Sequence, residues 1–202
     1  MKKWTLSFAM FCFLLLAWGQ ERWALVIGNN EYPHFKGNLS SIRYAGNDAR
    51  SLAALLQSSY CGFDKNRVFL LDDREATSAN VRKILVEKIS RAGQQDFLFV
   101  FFSGHGIPHR DQFYLLFHDT HPDLLEHTAI SLRKLADIID FCVPARKLFI
   151  VLDAHRSSQC VTSPFYPDIT WNSSMGDREV CLLKASSPSQ ISKERGDRKS
   201  VV

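Results

Sequence analysis

Five short runs of this chain carry apolar side chains at nearly every position: WALVIG at 23–28, VFLL at 68–71, FLFVFF at 97–102, LFIVL at 148–152 and VCLL at 180–183. Each has the length of a strand, and none alternates apolar with polar residues. A strand that is apolar throughout is buried on both faces, which excludes folds whose sheet meets water on one side. Helical spacing fills the intervals. Ala45, Ala49, Leu52, Ala53 and Leu56 form one stripe, and Val81, Ile84, Leu85 and Ile89 form a second behind a capping Thr77 or Ser78. Leu132, Leu135, Ile138 and Ile139 form a third behind Ser131. A further strand-like run, QFYLLF, spans 112–117. Such alternation predicts an α/β fold: a mostly parallel central sheet covered by helices on both faces.

Right-handed crossovers would place the carboxyl ends of the parallel strands along one edge, where open α/β sheets put their sites. Two strand exits stand out there. FLFVFF runs into SGHG, and LFIVL runs into DAHRSS, so each predicted turn carries a histidine, His105 and His155. Neighbouring strands would bring the two within reach. The stretch QCVTSPFYPDITWNSSMGD at 159–177 has turn formers without helical period and reads as a long loop beside that edge. No internal repeat and no phosphate-cradling glycine loop is present.

At 202 residues the chain can build one sizeable core, with 46% hydrophobic and 23% charged residues. Its net charge of +4 includes Lys2 and Lys3, and no long basic run exists, so nucleic-acid binding is not expected. The first nineteen residues form a predicted secretory signal: two lysines, an uncharged apolar run at 4–18, then Ala17 and Gly19 two apart. The run is short for a membrane span, which needs roughly 20 residues; an uncleaved anchor is the alternative reading. Export to a periplasm or beyond, with no membrane attachment after cleavage, is the expectation. One domain would then occupy 20–202. Cys61, Cys142, Cys160 and Cys181 would remain, either paired in one of three ways or as buried free thiols.

RWALVIGNNEY, YAGNDARSLAALL, DFLFVFFSGHG, YLLFHDT, KLFIVLDAHRSS and KASSPSQISKE, taken in order, resemble the caspase-like peptidases, in particular their bacterial and metacaspase-type branch. The likeness runs from about Arg22 to the end of the chain. It implies a caspase-like three-layer sandwich, cysteine-type endopeptidase chemistry and no cofactor. In that chemistry a thiolate attacks the scissile carbonyl, a histidine moves protons, and backbone N–H groups hold the oxyanion. The histidine precedes the cysteine by about 50 residues in such proteins. By resemblance His105 is the catalytic histidine and Gly106 an oxyanion donor. The nucleophile position carries His155 instead of cysteine, and Ser158 replaces the usual glycine after it. The expectation is a pseudopeptidase.

Family members that cut after Arg or Lys line their first pocket with acidic residues, and the matching positions here are Asp48, Ser103 and Asp153. The resemblance therefore implies that a peptide or protein with a basic side chain is the ligand. Bland readings stand beside it: Asp48 capping a helix at Ala49, and Asp153 binding backbone amides. Two other chemistries compete. Cys160 could act as a stand-in nucleophile, against pairing with Cys181 or remaining a loop thiol. His105, His155 and Asp153 could supply two imidazoles and a carboxylate to zinc. His109, His118, His121 and His127 lie near in sequence, and scattered loop histidines are usually solvated. The family's sheet continues beyond VCLL, whereas this chain closes with a polar tail at 186–202, so it is expected to be C-terminally short, with a sheet edge open to a protein partner.

Overall fold

A computed structural model describes residues 20–36, 39, 42–156 and 178–184. Its strands are β1 (Arg22–Gly28), β2 (Val68–Asp72), β3 (Phe97–His109), β4 (Gln112–Leu115), β5 (Ile130–Ser131), β6 (Lys147–Arg156) and β7 (Glu179–Lys184). β1 pairs in parallel with β2 and β3, β3 with β6, and β6 with β7, so five parallel strands run β2-β1-β3-β6-β7. β4 returns antiparallel against the far half of β3, and β5 pairs antiparallel with β4. QFYLLF is therefore the antiparallel part of a mostly parallel sheet.

The helices are α1 (Ala45–Leu56), α2 (Ser78–Lys83), the single turn α3 (Leu125–Thr128) and α4 (Leu132–Cys142). α2 continues through a π turn at Ile84–Lys88 and a 3-10 turn at Ile89–Arg91. Caps set their starts. The Thr77 hydroxyl accepts from the Asn80 N–H, the Ser131 hydroxyl accepts from Lys134, and Asp119 accepts from the Ser78 N–H at 3.0 Å. α1 lacks a local side-chain cap; instead Asn30 Oδ1 receives the Gly46 N–H.

Strand alternation decides which side chains meet which helices. Leu25, Leu98, Val100, Leu148 and Ile150 project to one face, where they pack with Val81 and Leu85 of the α2 segment and Leu135 and Ile139 of α4. Ala24, Val26 and Phe99 project to the other, against Ala49, Ala53 and Leu56 of α1. These are the two covered faces expected of an α/β sandwich. Small alanines on both sides let α1 approach β1 closely, and a Cβ on Gly28 would come within 2.3 Å of the Ala45 carbonyl oxygen.

Two expectations are corrected. FLFVFF and LFIVL do not end in turns before their histidines: β3 runs on to His109 and β6 to Arg156, in register from Phe97↔Lys147 to Gly106↔Arg156. Mutual pairing keeps both segments extended, so His105 and His155 lie inside strands. VCLL is not buried on both faces either. Val180 and Leu182 pack onto the core, while Cys181 is exposed and Leu183 is 51% exposed. β7 pairs with β6 alone among the described residues, and one side of it meets solvent.

β7 is anchored where it begins. Arg178, whose side chain is fully buried, donates to the Val143 carbonyl at 2.7 Å and lies 3.2 Å from Asp140, closing the C-terminal end of α4. Burial raises the Asp140 pKa and lowers that of Arg178, so desolvation outweighs their attraction.

At the amino edge of the sheet the buried Asp96 carboxylate gathers three donors: Glu21 N–H at 2.9 Å, Trp23 Nε1–H at 3.0 Å and Gly93 N–H at 2.7 Å. Asp96→Ala removes the acceptor of a buried indole N–H and of two backbone N–H groups, and urea unfolding should show a loss of about 3 kcal/mol. Arg50→Ala, which removes an exposed pair with Asp72, should cost less than about 1 kcal/mol in the same measurement.

Candidate active site at the carboxyl edge of the sheet

The site residues are placed by the register of β3 on β6. Ser103 stands opposite Asp153, and two residues on His105 stands opposite His155. Gly28, at the end of β1, stands opposite Ser103 on the other side. Parallel partners share a face, and Ser103 and Asp153 continue the alternation of Phe99 and Phe149, which lie on the α1 side. Ser103 and His105 are each 1% exposed, and Asp153 is half-buried. Asp48 is exposed and lies in the first turn of α1, the fourth residue of a helix that opens at Ala45. It is not a cap at Ala49, although a carboxylate there still complements the helix dipole. Asp48, Ser103 and Asp153 thus belong to one edge and one face. The side chain of His155 lies outside the described residues.

His105 is held by its backbone. Its N–H donates to the Tyr32 hydroxyl at 2.6 Å, and that hydroxyl donates to the Asn29 carbonyl at 3.1 Å. Its carbonyl accepts the Leu116 N–H at 3.0 Å. The Tyr32 ring lies 5.1 Å from the imidazole, centroid to centroid, tilted by 54°. Burial raises the Tyr32 pKa, so the phenol stays neutral and serves as both donor and acceptor. Tyr32 was not singled out by sequence reasoning. The signal available was a tyrosine four residues after a strand end, in GNNEY.

The glycines around His105 have steric reasons. A Cβ on Gly104 would approach the Tyr32 hydroxyl to 2.8 Å, and one on Gly106 would enter the Phe113 ring at 2.3 Å. Gly106, the expected oxyanion donor, stands opposite Arg156 on one side and Leu115 on the other. The YLLFHDT segment serves the scaffold: Asp119 caps α2, and the Thr120 hydroxyl accepts from Phe117 N–H and donates to the Thr128 carbonyl.

Among the described residues no three His, Cys, Asp or Glu side chains are grouped as a metal would require, and Cys61, Cys142 and Cys181 are free thiols. His109 lies near Glu126 and His121 near Asp123, both at the surface. No described helix is long and apolar enough to cross a membrane. The signal at 1–19, the 159–177 loop with Cys160 and the 186–202 tail lie outside the described residues. Gly106→Ala should destabilise the protein by about 2 kcal/mol through overpacking against Phe113. Phe113→Leu in the same chain should recover part of that loss, as a double-mutant cycle by chemical unfolding would show.

The register, the buried histidine and the acidic edge can be set beside known proteins. A family model described as the caspase domain matches residues 21–201. No curated protein matches the chain by sequence. Among solved structures, protein GSU0716 from Geobacter sulfurreducens is similar in fold, with a TM-score of 0.54 and 20% identity. That likeness covers 67% of this chain and 50% of the Geobacter chain, so it spans half of that protein's length. The family match covers nearly the whole chain: this protein belongs to the caspase-domain peptidase family.

Proposed function

We propose that this protein is an exported pseudopeptidase of the caspase-domain family, which binds peptides through Arg or Lys side chains and does not cleave them. The observation that carries the reading is the register His105↔His155. The caspase-type site has its histidine and its nucleophile on adjacent strand ends, and the second of these positions holds a histidine. Imidazole attacks activated acyl groups but is a weak nucleophile toward an amide, and nothing beside it supplies sulfur within the described strands.

Ser103 and Asp153 side by side, with Asp48 on the covering helix, support a pocket for a guanidinium or ammonium group. Carboxylates in a partly dry setting bind such groups by charge-assisted hydrogen bonds. An N-terminus with two lysines and an apolar run supports export.

Fluorogenic Arg and Lys peptides test the chemistry. The native protein should show no turnover, and His155→Cys should gain it by at least about 10³-fold over the parent, the gain being abolished by His105→Ala. Turnover by the native protein that disappears in Cys160→Ser would overturn the pseudopeptidase reading in favour of a displaced nucleophile. Stoichiometric zinc would favour a metal site. Asp153→Asn and Asp48→Asn should each weaken binding of an Arg peptide about tenfold, measured by fluorescence anisotropy, while leaving binding of a neutral analogue unchanged.

A further inference from the structure

We infer that Tyr32 is the positioning residue of this site: its hydroxyl is spliced into the hydrogen-bond ladder between β1 and β3, and thereby holds His105 at the point where the sheet opens. The inference rests on His105 being the proton-handling residue of the proposed site.

The last direct rung between the two strands is Asn29 N–H to the Ser103 carbonyl, at 2.9 Å. In a regular parallel ladder the next rung would run from His105 N–H to the Asn29 carbonyl. Neither group bonds the other here. Both are bonded to the same hydroxyl, His105 N–H donating to Tyr32 Oη at 2.6 Å and Tyr32 Oη donating to the Asn29 carbonyl at 3.1 Å. A rung one bond long has become a rung two bonds long. β1 is released from β3 with no buried backbone group left unpaired.

The same residue marks a change of partner. N–H and C=O of one strand residue point to the same edge, and the His105 carbonyl accepts from Leu116 N–H, just past β4. The edge that β1 leaves is therefore taken over by the antiparallel β4 segment, and the phenol fills the seam between them. Its ring packs at 6.3 Å edge-to-face on Phe35 and, with Phe35, against Tyr114, Leu116 and Leu125, so the hydroxyl is aimed by a small core of its own. Gly104 completes the arrangement, since any Cβ there would stand 2.8 Å from the hydroxyl. A phenol kept neutral by burial can donate and accept at once, which the splice requires.

The test is residue-resolved amide hydrogen exchange in the native chain. Tyr32→Phe keeps the ring and removes the relay. Exchange at His105 should accelerate about tenfold or more beyond the change at Val100, which reports global opening from the middle of β3. In a His155→Cys chain, Tyr32→Phe should lower kcat about tenfold with KM unchanged, because it displaces the proton-handling group and not the substrate pocket. Gly104→Ala, which pushes on the hydroxyl from the other side, should give the same His105-specific exchange and decides the matter if Tyr32→Phe does not fold. Exchange at His105 that rises only in step with Val100 overturns the inference, and so does an unchanged kcat. If His155→Cys gains no activity, the proposed function fails, and exchange alone decides the role of Tyr32.

Discussion

The structure depends on β3 being paired along both edges from Phe97 to Gly106. Thirteen residues of mostly buried strand sit at the centre of the sheet, and every buried N–H and C=O in them needs a partner. β6 supplies one edge as far as Gly106. The other edge is shared in sequence by β1, the Tyr32 hydroxyl and the β4 segment. Because the strand is never released into a loop, His105 is set by sheet geometry and not by a turn. Sheet geometry varies less, and a proton-handling group benefits from that rigidity.

Continuous pairing limits the side chains the site can carry. Where backbone and rings crowd in, at Gly104 against Tyr32 and at Gly106 against Phe113, no Cβ fits. The polar side chains kept in the buried strand, Ser103 and His105, stand opposite polar positions of β6, Asp153 and His155. Burying such groups is costly unless they are satisfied. A scaffold that retains them at one strand end has, in the proposed reading, kept the layout of the family's site. In the proposed reading only the atom that attacks is different.

Much of this was legible in the residues. The apolar strands, the three helical stripes and the Thr77 and Ser131 caps have mainly local causes, and spacing alone located them. Crossover rules put the two histidine-bearing strand ends on one edge, and the register adds that the strands are neighbours and the histidines direct partners. The strand ends were misjudged because Gly and Ser are turn formers in isolation; in SGHG the glycines serve close packing. Composition alone predicts VCLL as doubly buried, because an apolar run does not report that one face of the strand is left uncovered.

The sequence by itself determined the layers and the family, because hydrophobic period and residue type act over a few neighbours at a time. Tertiary structure alone decided that His105 lies within a strand and that Tyr32 bridges β1 to β3. Those features are set by register and by contacts between residues as far apart as Tyr32 and His105, and no local pattern in the chain encodes them.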